Sequence, residues 1–287
     1  MIIPKTSVEL DRMREGGAKI GVILKKLLDK AQPGVSLLAI EAYADQLIHE
    51  SGGEASFRTV KGYKWSTCLC VNDVVVHGIP NEYVLQDGDV LTIDVGLLYE
   101  GLHTDTAWTK IVKSQKSKVK SERVKKKLGF APESLALMNE KEKFLAIGEH
   151  AMWQGIAQVR AGNRVGHISQ AVQKIIEGAG YGIVKTLVGH GVGRELHEEP
   201  QIPGFLKSPI ETTPLLVRDM TIAVEVIYAR GKGAVVYTND DGWSIGSRDG
   251  SLTAVFEHSV VVTDGEPEVL TQPHVDTSGA GLTQAIQ

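Results

Sequence analysis

Apolar residues near the start of the chain recur at steps of three and four positions, which is the pattern of an amphipathic helix. The first helix is predicted over residues 7–31 and has its apolar positions at Leu10, Met13, Ala18, Ile20, Ile23, Leu24, Leu27 and Leu28. Pro33 and Gly34 follow it as stop signals. A second helix is predicted over residues 36–50, with Ser36 as its N-cap and Gly52-Gly53 as its terminator.

Runs typical of β-strands follow at residues 66–71, 90–95 and 103–112. The second half of the chain repeats this order. Helices are predicted over residues 140–159 and 165–177, separated by a break at Gly162, and further strand-like runs come after them.

The repeat becomes visible when the chain is compared with itself at an offset of 128 positions. Matching pairs are Gly34 and Gly162, Leu37 and Val165, Ile40 and Ile168, Leu47 and Ile175, Ile48 and Ile176, and Gly52 and Gly180. Amphipathic helices also resemble one another by chance, so a coincidence of helical periodicity is the alternative. A true duplication predicts two similar halves facing each other, with a cleft between them that suits a ligand site.

The composition is that of a globular protein, with 42% hydrophobic residues in 287 and a net charge of −4. No apolar run reaches the roughly 18 residues of a membrane span, and charges at Lys5, Glu9 and Asp11 are foreign to a secretory signal. Cys68 and Cys70 are two positions apart in a strand-like run and therefore point to opposite faces, which predicts free thiols. We expect a cytoplasmic protein.

One strongly basic segment begins at Lys110 and ends at Lys127, and it holds nine Lys or Arg residues and one Glu. Its charge is +8, so the rest of the chain carries −12. The pattern predicts a solvated loop or frayed helix. Such a segment is either a linker without a partner or a site for phosphates. The tail after about Thr271 is polar, and we expect it to be loosely held.

Asp94 and Asp105 are the strongest indication of function, because each lies in an otherwise apolar strand-like run. A lone buried carboxylate is costly unless it is paired or bound to a cation. A hairpin turning at residues 99–101 would place the two carboxylates directly opposite each other on one face, about 5 Å apart. A shared proton or an arginine partner is the alternative to a bound cation.

Three further residues favour a metal. His190 lies among glycines that allow the backbone to approach a ligand closely, while Glu225 and Glu257 again interrupt apolar strand-like runs. Four carboxylates and one imidazole are too many ligands for one tetrahedral ion. They suit two divalent ions bridged by carboxylates and a hydroxide.

Together with His77 in the string VHGIP and His197 in LHEEP, these residues resemble the methionine aminopeptidases of the pita-bread metallopeptidases, in their short type I bacterial form. The resemblance implies an α+β pita-bread fold. Two pseudo-symmetric halves, each with helices packed on an antiparallel sheet, would enclose a metal site in the central cleft. One catalytic domain would cover about residues 1–270, with halves at about 1–110 and 139–270, a basic insertion at about 111–130 and a flexible tail at 271–287.

The resemblance also implies roles for individual residues. Asp105 and Glu257 would bridge two divalent ions (Co, Mn, Fe or Zn), Asp94 would bind one of them, and His190 with Glu225 the other. A bridging hydroxide would attack the scissile carbonyl, with Glu225 as the proton shuttle. His197 would donate a hydrogen bond to the carbonyl oxygen and His77 would hold the peptide nitrogen beyond it. As isolated residues, both histidines could equally be turn residues bonded to backbone.

Tyr63, Cys68 and Trp243 match positions of the family's methionine pocket, and Leu196 stands at a further pocket position; each of the first three could also belong to the core. Four positions depart from the usual pattern: Val60 in place of Tyr, Leu196 in place of Phe, Val226 in place of Pro, and Gly96 in place of Thr. None of these changes removes a ligand. The first two predict a wider pocket.

The implied activity is removal of the N-terminal methionine from nascent proteins and peptides whose second residue is small. The expected protein is a monomer without DNA or membrane partners, with a possible ribosome contact through the basic segment. Enzymes of the same fold that cleave X-Pro bonds usually carry an extra N-terminal domain, whereas here the helical pattern starts at once. Metal-free binding proteins of this fold usually lose ligands, and here all five are present.

Overall fold

Helices and a large antiparallel sheet form the part of the chain that the structure describes. The structure is a computed structural model, and it describes residues 2–113 and 138–272. Its α-helices are α1 (Ser7–Lys30), α2 (Leu37–Glu50), α3 (Glu140–Ile156) and α4 (Val165–Gly178). Two short 3-10 helices are η1 (Ser56–Thr59) and η2 (Ile210–Thr212). Over the described residues, no helix has the length and apolar character needed to cross a membrane.

The strands confirm the predicted α+β class. In the first half they are β1 (Glu54–Ala55), β2 (Thr67–Val71), β3 (Val74–Val76), β4 (Val90–Tyr99) and β5 (Leu102–Ile111). In the second half they are β6 (Gly182–Ile183), β7 (Gly189–Gly191), β8 (Glu198–Ile202), β9 (Thr221–Ala229), β10 (Val235–Tyr237), β11 (Ile245–Ser247), β12 (Thr253–Val261) and β13 (Glu268–Val269).

The main sheet has the strand order β1-β4-β5-β12-β9-β7-β8, and β2, β6 and β13 pair with β4, β9 and β12. A smaller sheet has the order β10-β11-β3. Each pairing within both sheets is antiparallel. The centre of the main sheet is the contact between β5 of the first half and β12 of the second, so the two halves share one continuous sheet.

Local sequence determines where the helices begin. The Thr6 side chain accepts from the Glu9 N–H and the Glu9 carboxylate accepts from the Thr6 N–H, which together form a capping box at the start of α1. Asn139 and Glu142 form the same reciprocal pair before α3. The Ser36 hydroxyl caps α2 by accepting from a backbone N–H, as predicted.

The internal repeat is confirmed by α2 and α4, which are each 14 residues long and begin 128 positions apart. The glycines before them have the same left-handed backbone, with φ of 89° at Gly34 and 90° at Gly162. Those after them also agree, with 77° at Gly52 and 81° at Gly180. Only glycine adopts this conformation without strain, so the two matched turns explain the matched glycines.

The helices cover one face of the main sheet, and alternate residues of the strands therefore divide between a core and an open cleft. In the first half the core lies between α1, α2 and β4, and in the second between α3, α4 and the pair β9–β12. On β12, for example, Phe256 is buried in the core, while its neighbour Glu257 lines the cleft on the other face.

The predicted basic segment lies almost wholly outside the described residues, as does most of the predicted tail. At its start the prediction of a loop or frayed helix is wrong, because Lys110 belongs to β5. Its Nζ donates to the carbonyl oxygens of Leu28 at 2.7 Å and Ala31 at 2.8 Å, at the C-terminus of α1. Free helix carbonyls attract cations, which explains a lysine at the end of this strand.

The contact between α3 and β9 is tight enough to test by substitution. A Cβ at Gly148 would lie 2.3 Å from the hydroxyl oxygen of Tyr228, which is fully buried. We expect Gly148→Ala to lower the free energy of unfolding by about 1–3 kcal/mol through overpacking. Gly178, the last residue of α4, has nothing within 4 Å of that position. Gly178→Ala should therefore be neutral or stabilising by up to about 1 kcal/mol. Denaturant unfolding curves measure both, and equal effects would contradict the tight contact.

Candidate metal centre

Five polar side chains predicted as metal ligands meet on the open face of the main sheet. Asp94 lies on β4, Asp105 on β5, His190 on β7, Glu225 on β9 and Glu257 on β12. All five line one cavity at the centre of the sheet. Glu225 and Glu257 are directly paired between β9 and β12. The cleft therefore collects side chains from both halves of the chain.

The predicted pairing of Asp94 with Asp105 is wrong by two positions. Asp94 is paired with Ala107, and Asp105 with Gly96. The hairpin turns at Glu100 and Gly101, both with positive φ (47° and 79°), so the loop has only two residues. A shift by two positions keeps both carboxylates on the same face but makes them diagonal rather than direct neighbours.

Asp105, His190 and Glu257 form the compact part of the centre. Each offers one ligand atom, and these atoms all lie within 4.8 Å of one another. His190 Nδ1 is 2.8 Å from the Gly191 carbonyl oxygen, and because that oxygen can only accept, Nδ1 carries the proton. Nε2 then keeps its lone pair, 3.8 Å from an oxygen of Glu225. A histidine oriented in this way by its other nitrogen is typical of metal ligands.

Without a bound cation, ionisation of the four carboxyl groups is unfavourable. Burial raises the pKa of Asp105 to about 7. Burial and the negative charge of Asp105 together raise the pKa of Glu225 to about 8. Burial and the neighbouring acids hold the pKa of Asp94 and of Glu257 well above their usual range. Asp94 Oδ1 and Glu257 Oε1 are buried without a hydrogen-bond partner among the described residues. Such atoms fit a divalent cation, which would satisfy them and offset the repulsion.

An apolar pocket continues from the acidic centre in the same cavity of about 160 Å³. The residues that line it are Phe57, Val60, Tyr63, Cys68, Val76, Leu196 and Trp243. Tyr63 and Trp243 pack edge to face at 5.1 Å, and the Tyr63 hydroxyl donates to the Thr67 carbonyl oxygen at 2.8 Å. The aromatic walls are thus held by their own contacts, and the four residues predicted for the pocket lie together.

The two predicted histidines both line the cavity. His77 follows β3 with a positive φ of 56°, and its ring packs against Trp243 at 6.4 Å. His197 ends the loop between β7 and β8, and its ring is 4.5 Å from that of His190. Burial lowers the pKa of both rings, aided at His77 by His197. Each therefore stays neutral near pH 7 and still carries one N–H donor.

Sequence reasoning missed Phe57, which forms one wall of the pocket from the short helix η1. The structure also gives a reason for the glycine at position 96, one of the four predicted departures from the family pattern. A Cβ at Gly96 would lie 2.7 Å from Cβ of Ser56 and 3.0 Å from the Phe57 ring. The glycine therefore allows η1 to lie directly on β4. A single glycine forms no periodic pattern, so the sequence alone does not predict this contact between η1 and β4.

Comparison with known proteins identifies the family. The model of metallopeptidase family M24 matches residues 11–264. A methionine aminopeptidase of Clostridium perfringens is 34% identical over 271 residues, which cover 94% of this chain and 99% of the relative. Methionine aminopeptidase 1 of Bacillus subtilis is 33% identical over 272 residues, which cover 95% of this chain and 100% of the relative.

Solved structures agree with these relatives. The methionine aminopeptidase of Thermotoga maritima superposes with a TM-score of 0.83 at 31% identity, covering 95% of this chain and 100% of that structure. A prolidase of Pyrococcus furiosus has a TM-score of 0.69 at 20% identity, with 65% of its length covered, and shows only that the pita-bread fold is shared. With its acidic centre in the cleft of that fold, the chain belongs to metallopeptidase family M24, among the methionine aminopeptidases.

Proposed function

We propose that this enzyme removes the N-terminal methionine from proteins and peptides whose second residue is small, by hydrolysis of the first peptide bond. The observation that carries the proposal is one cavity in which acidic ligands adjoin an apolar, aromatic pocket. The thiol of Cys68 and the indole of Trp243 are polarizable neighbours for a thioether. The relatives from Clostridium perfringens and Bacillus subtilis are methionine aminopeptidases, which supports the same reaction.

We propose that two divalent ions, from among Co, Mn, Fe and Zn, occupy the centre. Asp105 and Glu257 would hold both, Asp94 one, and His190 with Glu225 the other. Four carboxylates and one imidazole exceed the needs of a single tetrahedral ion, and this ligand set accepts several first-row metals. When bound, the ions make hydroxide available near neutral pH and polarise the scissile carbonyl.

Three side chains would act on the substrate itself. Glu225 lies on β9 in the cavity, where its carboxylate would accept a proton during the attack and pass it to the departing amine. The neutral His197 would donate an N–H to the carbonyl oxygen as that oxygen becomes negative. His77, beside Trp243, would hold the peptide nitrogen beyond the scissile bond.

Replacement of Asp105 tests the shared metal site and the reaction together. Asp105→Asn should reduce bound metal and abolish turnover of Met-Gly peptides, because it removes a carboxylate from the compact group. Metal analysis and peptide hydrolysis, each with and without added divalent metal, are the measurements. Normal metal content with normal turnover would refute the site, and turnover of X-Pro peptides by the wild type would refute the specificity.

The raised pKa values add a signed pH dependence to the same test. Because Asp105 and Glu225 have pKa values of about 7 and 8 without metal, they are largely protonated below pH 7 and must lose protons to bind a cation. Metal binding should therefore release protons and weaken as the pH falls. Titration calorimetry in buffers of different ionisation enthalpy measures the release. Asp105→Asn should release fewer protons than the wild type.

The width of the methionine pocket is proposed from Val60 and Leu196, which both line the cavity and which the family resemblance sets in place of a Tyr and a Phe. We expect the wild type to accept norleucine or leucine at the first position better than Val60→Tyr and Leu196→Phe variants do. The ratio of kcat/KM values for methionine and norleucine peptides measures this. If the two variants discriminate no more strictly than the wild type, then Phe57 and Trp243 already close the space.

We also propose that the enzyme works as a cytoplasmic monomer that contacts the ribosome through its basic segment. A segment of charge +8 on a chain of net charge −4 can hold phosphates by counterion release. Removal of residues 114–127 should leave peptide hydrolysis nearly unchanged but remove a salt-sensitive sedimentation with ribosomes. The deletion starts after Lys113, so that it leaves Lys110 in place, whose ammonium caps the C-terminus of α1. Failure of the intact protein to sediment at low salt would leave the segment as a linker.

A further inference from the structure

Lys5 is a buried cation outside the metal centre, in the N-terminal arm formed by residues 2–6. It is 4% exposed, and its Nζ lies 2.7 Å from Oε2 of Glu198. Its backbone N–H donates to the Asp219 carbonyl oxygen at 2.8 Å. A buried ammonium is costly without a partner, so this ion pair holds the arm of the first half against the second half.

The partner of Lys5 is the residue that directly follows His197 in the chain. Glu198 begins β8, and its other carboxylate oxygen accepts from the Glu195 N–H at 3.1 Å. Glu198 is directed to the arm, whereas the neighbouring His197 lines the cleft.

The His197 ring depends on its backbone for its direction. It packs against the His190 ring at 4.5 Å, and it forms no hydrogen bond with any residue in the ranges 2–113 and 138–272. The loop that carries it, residues 192–197, continues from β7 at one end and meets Glu198 at the other. Whatever fixes Glu198 therefore fixes the position of the His197 donor.

The loop is shaped to receive Lys5. A Cβ at Gly193 would lie 2.2 Å from Cε of Lys5, so the lysine stem passes directly over this glycine. The Gly193 carbonyl oxygen accepts from the His103 N–H at 2.6 Å, which ties the loop to β5. On its exposed side, Arg194 binds the Glu9 carboxylate through two nitrogens, at 2.6 and 2.7 Å. Three residues of the first half therefore contact this loop of the second half: Lys5, His103 and Glu9.

We propose that Lys5 is a positioning residue for hydrolysis, whose buried ion pair with Glu198 aims the N–H of His197 at the scissile carbonyl oxygen. The proposal rests on the proposed role of His197 in the transition state. Among the described residues, the Lys5 ammonium pairs with Glu198, and through Glu198 it acts on the backbone that carries His197. Its loss should therefore affect kcat more than KM, because a displaced donor fails where negative charge develops.

A double-mutant cycle between Lys5 and His197 tests the proposal. His197→Ala should lower kcat by about 10²–10³-fold, as expected for loss of one oxyanion donor. Lys5→Met should lower kcat by about tenfold, with KM changed by less than about twofold. In the His197→Ala background, Lys5→Met should lower kcat by less than about twofold, because the group it positions is already gone. Bound metal should equal that of the wild type in all three variants.

Two further variants complete the design. Glu198→Gln retains the size of the side chain and an oxygen for the Glu195 N–H, so it should reproduce the kcat loss even if Lys5→Met does not fold. Lys25→Met removes an exposed lysine of α1 that pairs only with Asp29 among the described residues, and it should leave kcat unchanged.

The outcomes separate the two proposals. An equal loss of kcat from Lys5→Met in both backgrounds would show general damage to the fold and would overturn the positioning role. Metal loss in Lys5→Met or Glu198→Gln would overturn it as well. An unchanged kcat in His197→Ala alone would overturn the proposed role of His197, and the positioning proposal with it.

Discussion

Repulsion among four carboxyl groups that share one cavity is the constraint on which the rest of this structure depends. Asp94, Asp105, Glu225 and Glu257 lie on one face of a sheet whose other face is a packed core, so water cannot screen them fully. Burial, together with the neighbouring negative charges at Asp94, Glu225 and Glu257, raises their pKa values and favours the protonated form. A divalent cation reverses this preference, because it favours the charged form by more than burial disfavours it. The centre therefore fits a divalent cation, which agrees with the chain's membership of a metallopeptidase family.

The duplicated architecture explains how such a costly arrangement is assembled. Each half contributes two strands with one acid on each, and the halves join where β5 pairs with β12 in the middle of the sheet. Helices α1 and α2 cover the first half, and α3 and α4 cover the second. The acidic strands of each half therefore pack on the apolar core of that half. The apolar burial of two cores can offset the cost of desolvating the acids between them.

The two histidines proposed to act on substrate are held differently from the acids proposed to hold metal. The acids project from long central strands, where ladder hydrogen bonds fix them on both sides. His77 and His197 instead come from turns, and their rings are placed by neighbouring aromatic or imidazole rings and by the backbone that carries them. The loop of His197 is tied to the other half of the chain, through the buried pair of Lys5 and Glu198 and an exposed pair on α1. Contacts between the halves therefore hold the loop that carries His197 as well as the central sheet.

The sequence by itself determined the helices, their caps, the repeat and the acids that interrupt apolar strands, because each of these is written in spacings of a few residues. Only the tertiary structure decided the register between Asp94 and Asp105, since a two-residue turn at positive φ moved the pairing by two positions. It alone also brought Phe57 into the pocket and set Lys5 against Glu198, 193 positions away. The physical reason is that periodicity and capping act through neighbouring residues, whereas the partner of a buried charge or ring is chosen by packing between distant segments.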